Sequence, residues 1–224
     1  MTNVYFVADT HFGHKNIFKH TKRKFSETQD LVEHDEKLIE IWNKKIKKND
    51  IVYIVGDFSF HSAEKTKELL KRLNGQKHLI LGNHDTSSSR IQEMFVTVSH
   101  IKFVSFKKDN YHFMDDNMEI VLCHYPIASW PNKQRGAINV HGHCHGKYDK
   151  INRIDKELRV DVGIDSELGN NDIVSLEQLY YACKKITNGL RFGEYYEKIY
   201  CKQNFLTKII SIFKENLLTL SHKF

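Results

Sequence analysis

The chain has 224 residues, of which 40% are hydrophobic and 28% charged, with a formal net charge of +6. That length holds one good-sized domain with or without an appendage; the composition suffices for a real core, and no stretch reads as a low-complexity linker or an internal repeat. The charge is uneven: residues 184–224 carry eight Lys/Arg against three Asp/Glu, a balance of +5, which leaves +1 for residues 1–183 and argues against a nucleic-acid platform on the main body.

The opening stretch MTNVYFVAD has neither the basic start nor the small-residue cleavage site of a secretory leader. No run approaches the roughly 18–20 apolar residues that cross a bilayer. Cys123, Cys144, Cys183 and Cys201 show no C-x-x-C spacing, so they read as the reduced thiols of a cytoplasmic protein.

In chain order, the first apolar run is VYFVAD (4–9), a buried strand by its Val, Tyr and Phe content. From Asp30 to Lys48 the residues Leu38, Ile39, Trp42 and Ile46 share one helical face, with charges opposite. IVYIVGD (51–57) reads as a second strand. Ser62 is placed to cap a helix carrying Leu69, Leu70 and Leu73, which Gly75 would end. HLILGNHD (78–85) reads as a third strand, and a serine cluster opens a short helix over 86–95. Residues 95–106 and 111–114 are expected to form a hairpin around KKDN. Three more strand-like runs follow: EIVLCHYP (119–126), AINVHGH (137–143) and LRVDVGID (158–165). Strand and helix alternating in the first half, with strands dominating the second, predicts a layered α/β domain.

Five of these runs end in side chains able to bind a metal: Asp9 and His11, Asp57, Asn83 with His84 and Asp85, His124, and His143 with His145. Ligands of open α/β sheets gather beyond the carboxyl ends of the strands, so these donors are expected to converge on one edge. Positions i and i+2 at a strand end point the same way, which makes clamps of Asp9/His11 and of His143/His145. Cys144 alternates with the two histidines and should point away from them. Each motif alone is ordinary turn chemistry; the five in order are not.

The series Asp9-Thr10-His11, Gly56-Asp57, Gly82-Asn83-His84-Asp85, His124 and Gly142-His143-Cys144-His145 resembles the calcineurin-like metallophosphoesterase superfamily. The stretches ADTHFGHKNI, GDFSF, RLNGQKHLILGNHD, VLCHYPIASW, RGAINVHGHCHG and RVDVGIDS further resemble a small bacterial and phage branch of predicted phosphoesterases, over about residues 3–180. The resemblance implies a four-layered αββα sandwich of two mixed sheets flanked by helices. It also implies two divalent ions, Mn²⁺ first, with Fe²⁺, Zn²⁺ or Ni²⁺ as alternatives. Asp9, His11 and His145 would hold one ion, Asn83, His124 and His143 the other, and Asp57 would bridge them. Mixed nitrogen and oxygen donors suit such ions better than Ca²⁺. A hydroxide between the ions would attack the phosphate ester, and His84 would serve as general acid. Asn83 in place of a third carboxylate keeps the site net positive towards phosphate.

The sequence departs from the protein phosphatases of that superfamily, which carry an Asp and then an Arg where this chain has Phe60 and His61. The usual partner of His84 and one phosphate-binding cation are therefore missing. This points towards small phosphodiesters or nucleotides rather than phosphoproteins, with His14, Asn16 and Arg135 as replacement phosphate contacts. The alternatives are a non-catalytic interaction scaffold on the same fold, a protein phosphatase or a nuclease. The dipeptide His34-Asp35 is shared with all-helical HD-type hydrolases; in a strand-rich chain it reads as a solvated helix position. The expected layout is a phosphoesterase domain over 1–183 and a basic helical extension over 184–224. Within the extension, Leu206, Ile209, Ile210, Phe213, Leu217 and Leu220 recur at helical spacing, suited to docking on the domain, on a second subunit or on an anionic membrane surface.

Overall fold

The structure, a computed structural model, describes residues 2–21, 23, 30–85 and 92–199. In chain order the elements are β1 (Val4–Val7), α1 (Ile17–His20), α2 (Leu31–Lys45), β2 (Ile51–Val55), α3 (Ala63–Arg72), β3 (Gln76–Ile80), β4 (Thr97–Ser99), β5 (Ile101–Phe106), β6 (Met118–Cys123), β7 (Ile138–His141), α4 (Asp149–Asp155), β8 (Arg159–Asp161), β9 (Val174–Ser175) and α5 (Leu176–Ile186). Residues 192–199 are helical as well.

Two mixed sheets result. The first has the order β4-β3-β2-β1-β9, parallel except for the β1–β9 pair. The second has the order β5-β6-β7-β8, antiparallel only between β5 and β6. Strand alternation sorts the core into layers. Val4, Phe6 and Ala8 point between the sheets, where they meet Ile120, Leu122, Ile138, Val140 and Val160. Tyr5, Val7, Val52 and Ile54 point the other way, against Leu38, Trp42, Leu69 and Leu70 of α2 and α3. The fourth layer is thin: α4 lies over β8, with Asn152 accepting from Arg159 Nε at 3.0 Å. This is the expected αββα arrangement.

Capping follows the sequence signals. Asp30 accepts from the backbone N–H groups of Val32 and Glu33 at the start of α2, and Ser62 accepts from that of Lys65 at the start of α3. α5 opens with a capping box between Ser175 and Gln178.

The two sheets touch at one end. Beyond β1, Ala8 N donates to Val162 O and Ala8 O accepts from Ile164 N, a parallel bridge to the chain just past β8. Gly142 permits this approach, since a Cβ there would lie 2.4 Å from the Ala8 Cβ.

Three expectations change. The hairpin around KKDN does not form: Lys108–Asn110 is a 3₁₀ turn, and β5 pairs with β6 from Phe106↔Met118 to Ile101↔Cys123. Residues 111–114 instead pack on the inter-sheet core, with Tyr111 and Phe113 partly buried against it and Met114 inside it. His34 is no solvated position but is 0% exposed. The 183/184 division falls inside α5, and Phe192, Tyr195 and Tyr196 beyond it are part of the inter-sheet core. Tyr196 Oη accepts from Leu158 N at 3.1 Å, and Tyr195 Oη donates to Lys156 O at 2.9 Å, so this segment braces the entry to β8. Most of the short helix expected over 86–95, and the amphipathic run 205–220, lie outside the described residues. Among the described residues no helix is long and apolar enough to cross a membrane.

Because Phe192 is 2% exposed, Phe192→Ala is expected to destabilise the whole domain by about 3–5 kcal/mol. The measurement is the urea midpoint; a midpoint equal to that of the parent would make the segment energetically separate.

Candidate metal centre

The carboxyl ends of β1, β2 and β3 and of β6 and β7 open on the edge where the sheets touch, and there the donors assemble into two groups. Asp9, His11 and His145 form one, and Asp57, His124 and His143 the other, the ligand atoms within each lying within 4.8 Å of one another. Asn83 joins the second, its Oδ1 3.2 Å from His124 Nε2. Asp57 stands between them, with Oδ2 3.7 Å from His11 Nε2 and 3.4 Å from His124 Nε2. The first group is the more buried; His143 and Asn83 are exposed.

The backbone is bent hard to achieve this. Asp9, His11, Asp57, His143 and His145 all have positive φ, between 48° and 70°. A non-glycine residue in that region costs roughly 1–3 kcal/mol, and such residues concentrate where function requires them. Specific hydrogen bonds hold the turns. Asp9 N donates to Gly56 O at 3.0 Å and His11 N to Asp57 O at 3.1 Å, which ties the β1 turn to the β2 turn. The Asp9 carboxylate accepts from His143 N at 2.9 Å, which ties β1 to the loop after β7. Asp85 accepts from the N–H groups of Asp57, Phe58 and Gly82 and so binds the β2 and β3 turns together.

Ring tautomers are set by the outward-facing nitrogens. His124 Nδ1 donates to Val55 O at 2.9 Å, and His145 Nδ1 donates to Asp165 Oδ2 at 2.8 Å. Each ring therefore presents Nε2 as the inward donor atom. The Nδ1 atoms of His11 and His14 are 3.2 Å apart, and His11 Nε2 is a buried atom with no hydrogen-bond partner. These observations fit divalent cations. The orphaned His11 Nε2 requires an acceptor of its lone pair, and His124 Nε2, facing oxygens of both Asn83 and Asp57, requires positive charge there, a proton or a bound cation.

Electrostatics divide the ligands into two kinds. Burial pushes the Asp9 carboxyl up to about 7, against the attraction of His145 and His124. Burial likewise depresses His11 to about 2. Burial opposes charge on His124 too, yet its hydrogen bond to Asp57 and the Asp9 and Asp57 charges lift it to about 9. Asp57, also disfavoured by burial, is drawn to about 2 by the hydrogen bond and charge of His124 and the His84 N–H. Asp57 is thus held as a carboxylate and His11 as a neutral imidazole, whereas burial at Asp9 and the carboxylates beside His124 favour protons on those two groups that a bound cation would displace. Cys144 is half-buried; burial, then the Asp161 and Asp9 charges, push its thiol up to about 11, so it is no thiolate ligand.

His84 is exposed beside the second group. Its N–H donates to Asp57 Oδ1 at 2.9 Å, and its ring lies 4.8 Å from that of Phe60. Phe60 in turn stacks on His14 at 4.0 Å. His61 Nε2 is 2.8 Å from Asp35 Oδ2, so its ring nitrogen is turned to α2 rather than offered to a substrate. His14 stands over His11. Asn16, two residues on, is exposed and precedes α1 without capping it through its side chain. Arg135 does not join the site: it precedes β7, at the end of the sheet opposite His143 and His145, where its carbonyl abuts Gly193. Its polar surroundings in sequence gave no indication of which end of the strand it occupies. His141 also turns away, buried with Nε2 3.2 Å from Asn152 Nδ2.

Sequence reasoning missed Arg23, Asp35 and Asp165. Asp165 closes the last strand-like run, a signal of the same kind as the other five; Arg23 lies in a polar stretch without periodicity.

A sequence model of the calcineurin-like phosphoesterase family matches residues 2–176, and the chain belongs to that family of metal-dependent phosphoric ester hydrolases. It is 34% identical over 191 residues to an uncharacterized protein of Methanocaldococcus jannaschii, covering 83% of this chain and 93% of the relative. It is 26% identical over 201 residues to the gene 66 protein of Mycobacterium phage L5, covering 80% and 93%. The crystal structure of an Aquifex aeolicus protein of unknown function shares the fold, with a TM-score of 0.59 at 21% identity over 81% of this chain and 100% of the other.

Gly56 has φ +90°, and a Cβ on it would lie 2.2 Å from His124 Nδ1. Gly56→Ala is expected to displace that ring and weaken ion uptake at the second group by roughly 10–100-fold, read by calorimetric titration with Mn²⁺. Unchanged uptake would mean that the loop tolerates the methyl group.

Proposed function

We propose that the protein hydrolyses a small phosphodiester or nucleotide with two divalent ions, Mn²⁺ first among them. Asp9, His11 and His145 hold one ion, and Asn83, His124 and His143 the other. The observation that carries this reading is the Asp57 carboxylate, whose Oδ2 lies within 4 Å of a histidine Nε2 from each group. Ions bound by these residues would supply Lewis acidity, lowering the pKa of a water and offsetting the charge of the phosphate oxygens.

The protein residues do the rest. Asp57 fixes the spacing of the two groups and, through its other oxygen, the His84 backbone. His84 stands at the open rim with Phe60 and His14 beside it, and its role in this reading is to give a proton to the departing oxygen. Substrate preference follows from what surrounds it. Among the described residues no carboxylate pairs with the His84 ring, and His61 is engaged by Asp35. Two exposed aromatic rings flank the donors instead: Phe60, 37% exposed, and Tyr125, 42% exposed with its ring 4.8 Å from that of His143. Flat aromatic faces beside both donor groups favour organic groups on two of the phosphate oxygens, as in a diester, over a phosphoprotein side chain.

The test is turnover of bis(p-nitrophenyl) phosphate against p-nitrophenyl phosphate with Mn²⁺ added. The diester is expected to be the better substrate, and chelation is expected to abolish both activities; faster monoester turnover would reverse the substrate assignment. Asp57→Asn is expected to abolish turnover and weaken both ions. His84→Ala is expected to retain both ions and lose roughly 10²–10⁴ in kcat; parental kcat would remove His84 from the reaction.

A further inference from the structure

Behind the first donor group lies a buried guanidinium. The Arg23 side chain is 0% exposed and that of Asp165 is 7% exposed. Arginine has five N–H donors and no acceptor, and here all five are used. Nε donates to Asp165 Oδ1 at 3.0 Å and Nη2 to Asp165 Oδ2 at 2.8 Å. The second Nη2 donor reaches Asp9 O, and Nη1 donates to Thr10 O at 2.7 Å. The last Nη1 donor meets His34 Nε2 at 2.9 Å.

The consequences reach each member of the first donor group. Asp9 and Thr10 present their carbonyls to Arg23 within the turn where Asp9 and His11 take φ 57° and 52°. Asp165, held by the fork, accepts from His145 Nδ1 and so leaves Nε2 of that ring as the ligand atom. His34 can only accept from Arg23, so its proton is on Nδ1, which faces Asp35 Oδ1 at 2.9 Å. Asp35 in turn accepts from Gly13 N with both oxygens, at 3.0 and 3.2 Å. The segment from Asp9 to Gly13 is thus gripped at its carbonyl end by Arg23 and at its amide end by Asp35.

Among the described residues no guanidinium fork reaches the second donor group, whose turns are tied instead by the Asp85 carboxylate. His124 is oriented by the Val55 carbonyl, and Asp57 by the His84 amide. A buried ion pair is weak support for stability, since apolar residues of similar volume often serve as well. The planar fork is what a lysine or an apolar residue does not reproduce.

We infer that Arg23 is a positioning residue that sets affinity for the ion held by Asp9, His11 and His145, and leaves the other ion to its own donors. This rests on the two-ion reading above. The test is Mn²⁺ titration by calorimetry and electron paramagnetic resonance on the full chain, for the parent, Arg23→Lys, Arg23→Met and Asp165→Asn. Thermal melting in the ion-free state serves as the folding control. The parent is expected to bind two ions with the spectrum of a coupled pair. In Arg23→Met one ion is expected to bind as in the parent and the other roughly 10–100-fold more weakly, giving the six-line signal of an isolated Mn²⁺ at one equivalent. Arg23→Lys keeps the charge without the fork and is expected not to restore the pair. Asp165→Asn keeps the shape but can turn an amide N–H towards His145 Nδ1, which forces the proton onto Nε2. It is expected to show the same one-ion loss and decides the matter if the Arg23 variants do not fold. Two ions at parental affinity in a folded variant, or equal weakening of both, overturns the inference. A parent that binds a single ion overturns the two-ion reading, and this inference with it.

Discussion

The arrangement depends on the backbone contact at Ala8, where the chain leaving β1 bonds across to the segment after β8 in the other sheet. Two packed sheets normally stand about 10 Å apart. Here they close to hydrogen-bonding distance at one end, and the side chains following β1, β2 and β3 come within reach of those following β6 and β7. Gly142 is the local condition, because any side chain there meets Ala8 and Asp9. Without that contact the donors would remain on two separate rims, each too incomplete to hold a cation.

Closing the rims concentrates unfavourable terms. Buried carboxylates crowd buried imidazoles, lone pairs face oxygens, and several ligand residues sit in left-handed backbone. The hydrogen bonds among the turns do not remove these costs. They hold the groups so that divalent charge relieves them together, with the reorganisation already done during folding. The apolar layers on both sides of the first sheet supply the stability against which this strain is held.

The sequence shows much of this plainly, for a physical reason. A strand that is buried on both faces must be an unbroken apolar run, and its end is marked by the first polar residue. Metal donors at such ends are therefore visible as residues and as positions, which is why Asp9, Asp57, His124 and the His143/His145 pair stand out. What supports them comes from far along the chain. Arg23 reaches Asp165 across 142 positions, and nothing local announces that partnership. His34 looks solvated because histidine and aspartate together are common on exposed helices; only the packed structure shows the ring inside. Arg135 illustrates the opposite error: a cation beside a glycine in a polar loop is attractive as a phosphate ligand until the direction of β7 places it at the wrong end. The 111–114 stretch reads as a strand because its aromatic residues are apolar, but they serve as a plug for the inter-sheet core.

The two donor groups differ in their access to solvent. Asp9 and His11 are sealed, while Asn83 and His143 lie open. Ligand exchange at an open rim keeps pace with the surrounding medium, whereas exchange at a sealed one waits for the protein to loosen. An ion held by Asp9 and His11 would therefore exchange more slowly than one held by Asn83 and His143.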